Sequence, residues 1–95
     1  MEKWQGKIAV VTGASAGIGA AIVRDLAKAG INVIALARRI EKLEALKDEL
    51  KGATGKVTAL RCDVSNKASV EATFKTIEER FGVVNILINN AGVVR

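Results

Sequence analysis

Three short stretches of the sequence combine residue types that hold ligands. The first, Thr12-Gly13-Ala14-Ser15-Ala16-Gly17-Ile18-Gly19, sets three glycines between an apolar run and a helical pattern. Glycine there permits a tight turn with positive φ, close approach of a phosphate to the backbone, and close packing of a helix on a strand. The helix that follows offers free N–H groups and the positive end of its dipole, so the turn suits an anion such as a pyrophosphate. Gly13, Ser15, Ala16, Gly17, Ile18 and Gly19 are its candidate contacts; the alternative is an ordinary glycine-rich turn between strand and helix. The other stretches are the basic pair Arg38-Arg39 and Asn89-Asn90-Ala91-Gly92.

Other chemistry is excluded by composition. The sequence has no His and a single Cys, Cys62, so it offers neither an internal disulfide nor an ordinary zinc site. Cys62 reads as a small buried hydrophobe. With no Tyr either, the commoner general acids for carbonyl or alcohol chemistry are lacking, leaving lysines, carboxylates and one thiol.

The elements that would position these stretches alternate along the chain. An apolar run at 8–11 predicts a buried parallel strand ending at Thr12-Gly13. Ile18, Ala21, Ile22, Leu26 and Ala29 recur at helical spacing, and Gly30 sits where a left-handed cap closes the helix. A second strand is expected at 31–36. From about Arg39, Ile40, Leu43, Leu46 and Leu50 form the apolar stripe of an amphipathic helix. Gly52 and Gly55 bracket a turn, a third strand covers 57–62, and Ser65 can cap a helix with Val70, Phe74, Ile77 and Phe81 inward. Glu71 and Lys75 are spaced for an exposed i,i+4 pair. Gly82 ends that helix and a fourth strand falls at 84–88. The order β-α-β-α-β-α-β predicts an α/β fold with a parallel sheet and right-handed crossovers.

The 95 residues fit one small domain, with no linker or repeat. At 49% hydrophobic and 26% charged, with no apolar run near the ~18 residues of a membrane span, the chain reads as soluble, and its opening residues as cytoplasmic. The absence of proline suits short, regular crossovers. A net charge of +5 favours an anionic partner, but with aromatics at 3% and no recognition motif a nucleic acid is not expected.

The spacing T-G-x-x-x-G-x-G, with Asp63-Val64 after strand three, Asn89-Asn90-Ala91-Gly92 after strand four and a basic pair after strand two, resembles the short-chain dehydrogenase/reductase family from Gly6 onward. The opening Met-Glu-x-Trp-x-Gly-Lys and the stretch Ala-Arg-Arg-x-Glu-x-Leu-Glu-x-Leu look most like the insect branch that includes farnesol dehydrogenase-like and related NADP-dependent alcohol dehydrogenases. The resemblance implies a Rossmann-type doubly wound sheet, of which residues 1–95 are the N-terminal dinucleotide-binding portion, cut after strand four.

Where a ribose carries a free 2′-hydroxyl, a dinucleotide site places a carboxylate at the end of strand two, which would repel a 2′-phosphate. Here that place reads Leu36-Ala37-Arg38-Arg39, with no carboxylate before Glu41. Either arginine can donate charge-assisted hydrogen bonds to a 2′-phosphate, and the following helix lacks a Ser, Thr, Asp or Asn cap. NADP is therefore expected over NAD, with Arg38 carrying most of the preference; the alternative is a solvated pair at a loop. The resemblance further implies that Asp63 reaches the adenine amine, that Val64 backs the ring, and that Asn90, Ala91 and Gly92 lie near the nucleotide ribose. Asp63 can equally be a turn residue, and an asparagine there can simply tie two backbones together.

In the family, chemistry is carried by a Ser, a Tyr-x-x-x-Lys pair and a further Asn, all beyond the Asn-Asn-Ala-Gly segment. No catalytic residue can be assigned within this sequence. The expected function is the cofactor-binding part of an NADP(H)-dependent oxidoreductase that interconverts an alcohol and a carbonyl by hydride transfer, a homo-oligomer when full length. The alternative is a dinucleotide-binding module without catalysis. Four strands with one helix on the second face are also expected to leave apolar sheet uncovered there and strand four as an open edge.

Overall fold

The computed structural model describes residues 6–14 and 17–89. Its elements are β1 (Ile8–Thr12), α1 (Gly17–Lys28), β2 (Asn32–Ala37), α2 (Ile40–Glu49), β3 (Val57–Arg61), α3 (Lys67–Phe81) and β4 (Ile86–Asn89). All neighbouring strands are parallel and lie in the order β3-β2-β1-β4. This is the expected Rossmann-type α/β arrangement, in the order of the first four strands of a doubly wound sheet.

Strand alternation divides the apolar residues between two cores. Val11, Val33, Ala35, Ala37 and Val57 face α1 and α2, where they meet Ala20, Val23, Ala27, Leu43 and Leu46. Val10, Ile34 and Leu36 face α3, where Ile77 is fully buried and Val70, Phe74 and Phe81 are half-buried. The inward face expected of α3 is the one observed. β4 is covered less well: Leu87, register partner of Val10, is 57% exposed, so the α3 side of the sheet does leave apolar surface in view.

The buried face of α1 matches the expected one only in part: Ile22 and Leu26 are half-buried against the core, but the fully buried positions are others. Gly19, Ala20, Val23 and Ala27 pack on the sheet, whereas Ile18 is 72% exposed and Ala21 is exposed. Small residues let this helix approach the strands closely, so side-chain size misidentifies part of its inner face. At its other end the Gly30 N–H donates to the Ala27 carbonyl and the Ile31 N–H to the Leu26 carbonyl, with Gly30 at φ 91°. This is a Schellman cap. Because Ile31 spends its N–H on that cap, β2 begins at Asn32 instead of Ile31.

Two further expectations are corrected. The N-cap of α3 is Asn66, whose side chain accepts from the Ser69 N–H at 3.0 Å; Ser65 is occupied by Asp63 instead. Glu71 and Lys75 form no ion pair, and among the described residues the ion pair is Arg24 with Glu49, a two-bond clasp between α1 and α2. Gly55 is needed for space: its N–H donates to the Ala27 carbonyl at 2.8 Å, and a Cβ there would lie 2.0 Å from the Ile31 carbonyl oxygen. Among the described residues no helix is long and apolar enough to cross a membrane.

Candidate functional site

At the carboxyl end of the sheet the chain leaves β1 through Gly13, whose φ of 61° lies in the left-handed region. The next N–H, that of Ala14, donates to the Leu36 carbonyl at 3.1 Å, tying the turn to the end of β2. Gly17, at φ 60°, opens α1, and no acidic side chain occupies the first turn of that helix. An anion at this N-terminus therefore meets no carboxylate from the helix itself.

β2 ends at Ala37 and α2 begins at Ile40, leaving Arg38 and Arg39 between them, both exposed. Arg39 occupies the N-cap of α2 in an extended conformation and makes no side-chain cap hydrogen bond, as the sequence suggested. The Arg38 carbonyl accepts at 3.2 Å from Nε of Arg61, the last residue of β3.

β3 delivers Cys62 and Asp63 beside that pair. The Cys62 N–H donates to the Ala37 carbonyl at 2.9 Å, extending the strand pairing by one residue. Asp63 is fixed at three polar groups: its N–H donates to Oγ of Ser69, its carbonyl accepts from the Asn66 N–H at 3.0 Å, and its Oδ1 accepts from the Ser65 hydroxyl at 2.6 Å and the Ser65 N–H at 3.0 Å. The Ser65 hydroxyl, then the Ser65 N–H, hold this carboxyl below its ordinary value; desolvation works against them, and Arg38 and Arg61 add to the lowering. Asp63 is thus an oriented acceptor, and the turn role left open in the sequence coexists with its place at the site.

These groups surround one open cleft of about 400 Å³. Its walls bring together Gly13, Arg38, Arg39, Asp63 and Val64, five of the residues singled out from sequence, from three separate strand ends. Gly17, Ile18 and Gly19 stand at the start of α1 and do not line it. Ser15, Ala16, Asn90, Ala91 and Gly92 lie outside the described residues. Asn89 is described: its Oδ1 accepts from the Thr12 hydroxyl at 3.1 Å, linking the ends of β1 and β4.

Sequence reasoning missed three contributors. Cys62 is buried, as expected, yet its side also lines the cleft, and its position directly before Asp63 was the available signal. Ser65 lines it as well, through the turn with Asp63. Arg61 gave no local signal, because its role follows from the β2–β3 register that sets it opposite Ala37. A glycine turn, two exposed guanidiniums and an oriented carboxylate around one cleft form a donor and acceptor set for a phosphorylated ligand with a hydrogen-bonding base.

Comparison with known proteins agrees with that arrangement. A family model described as short chain dehydrogenase matches residues 7–95. The chain is 54% identical over 96 residues to farnesol dehydrogenase of Aedes aegypti, spanning 100% of this chain and 39% of that protein. It is 42% identical over 97 residues to human dehydrogenase/reductase SDR family member 11, covering 37% of it. Among solved structures, a metagenomic short-chain oxidoreductase in complex with NADP superposes with a TM-score of 0.89 at 42% identity, over 95% of this chain and 41% of that one. L-sorbose reductase from Gluconobacter frateurii, complexed with NADPH and L-sorbose, gives 0.88 at 34% identity, over 97% and 35%. The chain therefore spans about two fifths of the length of the relatives it matches.

Proposed function

Because the chain belongs to the short chain dehydrogenase family of oxidoreductases, we propose that it is the dinucleotide-binding portion of an NADP(H)-dependent enzyme interconverting an alcohol and a carbonyl. The observation that carries the cofactor reading is the basic rim. β2 runs out into Ala37-Arg38-Arg39 with no carboxylate before Glu41, and both arginines share a cleft with Gly13 and Asp63. The NADP and NADPH complexes among the matching structures support the same choice.

The chain's own residues bind and orient. Backbone N–H groups of the turn at Gly13, Ser15, Ala16, Gly17, Ile18 and Gly19 hold the pyrophosphate at the start of α1. Arg38 and Arg39 donate to the 2′-phosphate. Asp63, acceptor-only and already oriented by Ser65, takes the adenine amine, and the partly exposed Val64 backs the ring. Asn90, Ala91 and Gly92 complete the contact set on the ribose side. When bound, the nicotinamide supplies the hydride chemistry.

The test is a direct titration of the purified chain with NADPH and with NADH. Arg38→Asp is expected to weaken NADPH about 30-fold, near the ~2 kcal/mol of a charge-assisted hydrogen bond, and NADH less than about threefold. Equal losses for the two nucleotides reject the assignment. One observation favours a second reading: with neither Tyr nor His, these residues hold no ordinary proton donor for the reaction. On that reading the 95 residues bind the nucleotide without turning over substrate.

A further inference from the structure

We propose that Arg61 is a positioning residue for recognition of the 2′-phosphate, acting through Arg38 without touching the nucleotide; this rests on the role given to Arg38 above. Arg61 ends β3 in register with Ala37, the last residue of β2. Its Nε–H donates to the Arg38 carbonyl at 3.2 Å, while the N–H of the next residue, Cys62, donates to the Ala37 carbonyl at 2.9 Å. Two consecutive carbonyls of the chain leaving β2 are thus held from β3.

No local side chain does that work. The N-cap of α2 is Arg39, which makes no cap hydrogen bond, so the peptide carrying Arg38 lacks the anchor that Ser, Thr, Asp or Asn supplies at other helix starts. Asn66 of α3 provides the contrast, accepting from the Ser69 N–H at 3.0 Å. The Arg38 carbonyl takes its bond from across the sheet.

Arg61 is also placed unlike a ligand-binding residue. Arg38 and Arg39 line the cleft; Arg61 does not. Its Nε–H is committed to the Arg38 backbone carbonyl, a contact that leaves the Arg38 side chain itself unengaged by Arg61. Its charge still contributes: Arg38, Arg39 and Arg61 lie around a cleft to which Asp63 contributes the one carboxylate among its described lining residues. Such an excess of positive charge favours a multiply charged anion over a neutral hydroxyl. Fixing the Arg38 backbone before binding removes part of the ordering cost that a loose loop would incur.

The experiment is nucleotide titration of Arg61→Ala, Arg61→Lys, Arg38→Asp and the Arg61→Ala/Arg38→Asp double variant, with a thermal melt of each to establish that it folds. Arg61→Ala is expected to weaken NADPH roughly tenfold, the ordinary worth of a charged group's hydrogen bond, and NADH less than about twofold. Arg61→Lys, which keeps a cationic donor, recovers most of the NADPH affinity. In the Arg38→Asp background, Arg61→Ala costs NADPH less than about twofold, because the effect runs through Arg38.

Equal losses for NADPH and NADH in Arg61→Ala would make the residue merely structural and overturn the proposal. So would a full tenfold loss added on top of Arg38→Asp, which would make Arg61 an independent phosphate ligand. If Arg38→Asp itself leaves the NADPH-to-NADH ratio unchanged, the cofactor reading falls, and that result is separate from the behaviour of the Arg61 single variants.

Discussion

At the amino end of the sheet side chains tie strand to strand, whereas at the carboxyl end most of them hold the loops that leave the strands. Asn32 and Asn85 do matching work at the amino end. Each stands at the entry to a strand and accepts, through Oδ1, from the backbone of a neighbour: Lys56 N–H at 3.0 Å for Asn32, Ile8 N–H at 2.9 Å for Asn85. Gly55 lies against the Ala27 and Ile31 carbonyls, and the Gly6 N–H donates to the Gly30 carbonyl. The carboxyl end has the Thr12–Asn89 link, the Arg61 bond to the Arg38 carbonyl and the Asp63–Ser65 turn, the last two beside an open cleft. Polar groups that close on the backbone stabilise; charged groups left exposed at a strand end are available to a ligand. The same sheet separates the two tasks by some five residues of strand.

The largest expected effect lies at the amino end. A methyl group at Gly55 would sit 2.0 Å from a backbone oxygen, which no flexible side chain can relieve. Gly55→Ala should therefore lower stability by about 3 kcal/mol, read as a reduced denaturant midpoint. The NADPH-to-NADH affinity ratio of whatever remains folded should be unchanged, and a changed ratio would break the separation of the two ends. Next, Asn85→Ala should cost about 1 kcal/mol by the same measurement, the usual worth of a hydrogen bond, again without altering the ratio.

The smallest effects are acid-dependent and place one carboxylate at each end. The Arg24 hydrogen bond holds Glu49, on the last turn of α2, below its ordinary value; desolvation opposes, and the charges of Arg24 and Lys28 assist. Ser65 does the same for Asp63 at the carboxyl end. A carboxyl whose folded value is depressed adds stability above the ordinary carboxylate range and loses it as pH falls through the folded value. Glu49→Gln and Asp63→Asn should each flatten the loss of stability below about pH 4, measured as denaturant midpoint against pH. Added salt should weaken the Glu49 contribution, which is an exposed ion pair, more than that of Asp63, whose main partners are neutral donors.

The element order was legible because each strand is a short apolar run bounded by glycine or polar residues, and α2 and α3 carry regular stripes. The face of α1 was legible only at Ile22 and Leu26, because Gly19, Ala20 and Ala27 pack by being small while Ile18 and Ala21 are exposed. At the site, Gly13, Arg38 and Arg39 were legible from position relative to strand ends, whereas Asp63 and Val64 were legible only through the family resemblance. Asn32, Asn85 and Arg61 were not, because each acts on a strand whose register is set by tertiary pairing. The cap of α3 fell one residue later than expected because Ser65 had a nearer partner in Asp63.

The position of β4 beside β1 governs the order in which the sheet can assemble. The bond between Asn85 and Ile8 spans 77 residues, whereas the bond between Asn32 and Lys56 spans 24. Closing the longer loop costs about 1 kcal/mol more, so β1, β2 and β3 can pair through their short crossovers while β1 still has one edge unpaired. Of the two central strands described, β1 is then the later to gain both of its neighbours. During that interval the Val10–Val11 edge, at the middle of the eventual sheet, is an unpaired apolar edge open to association.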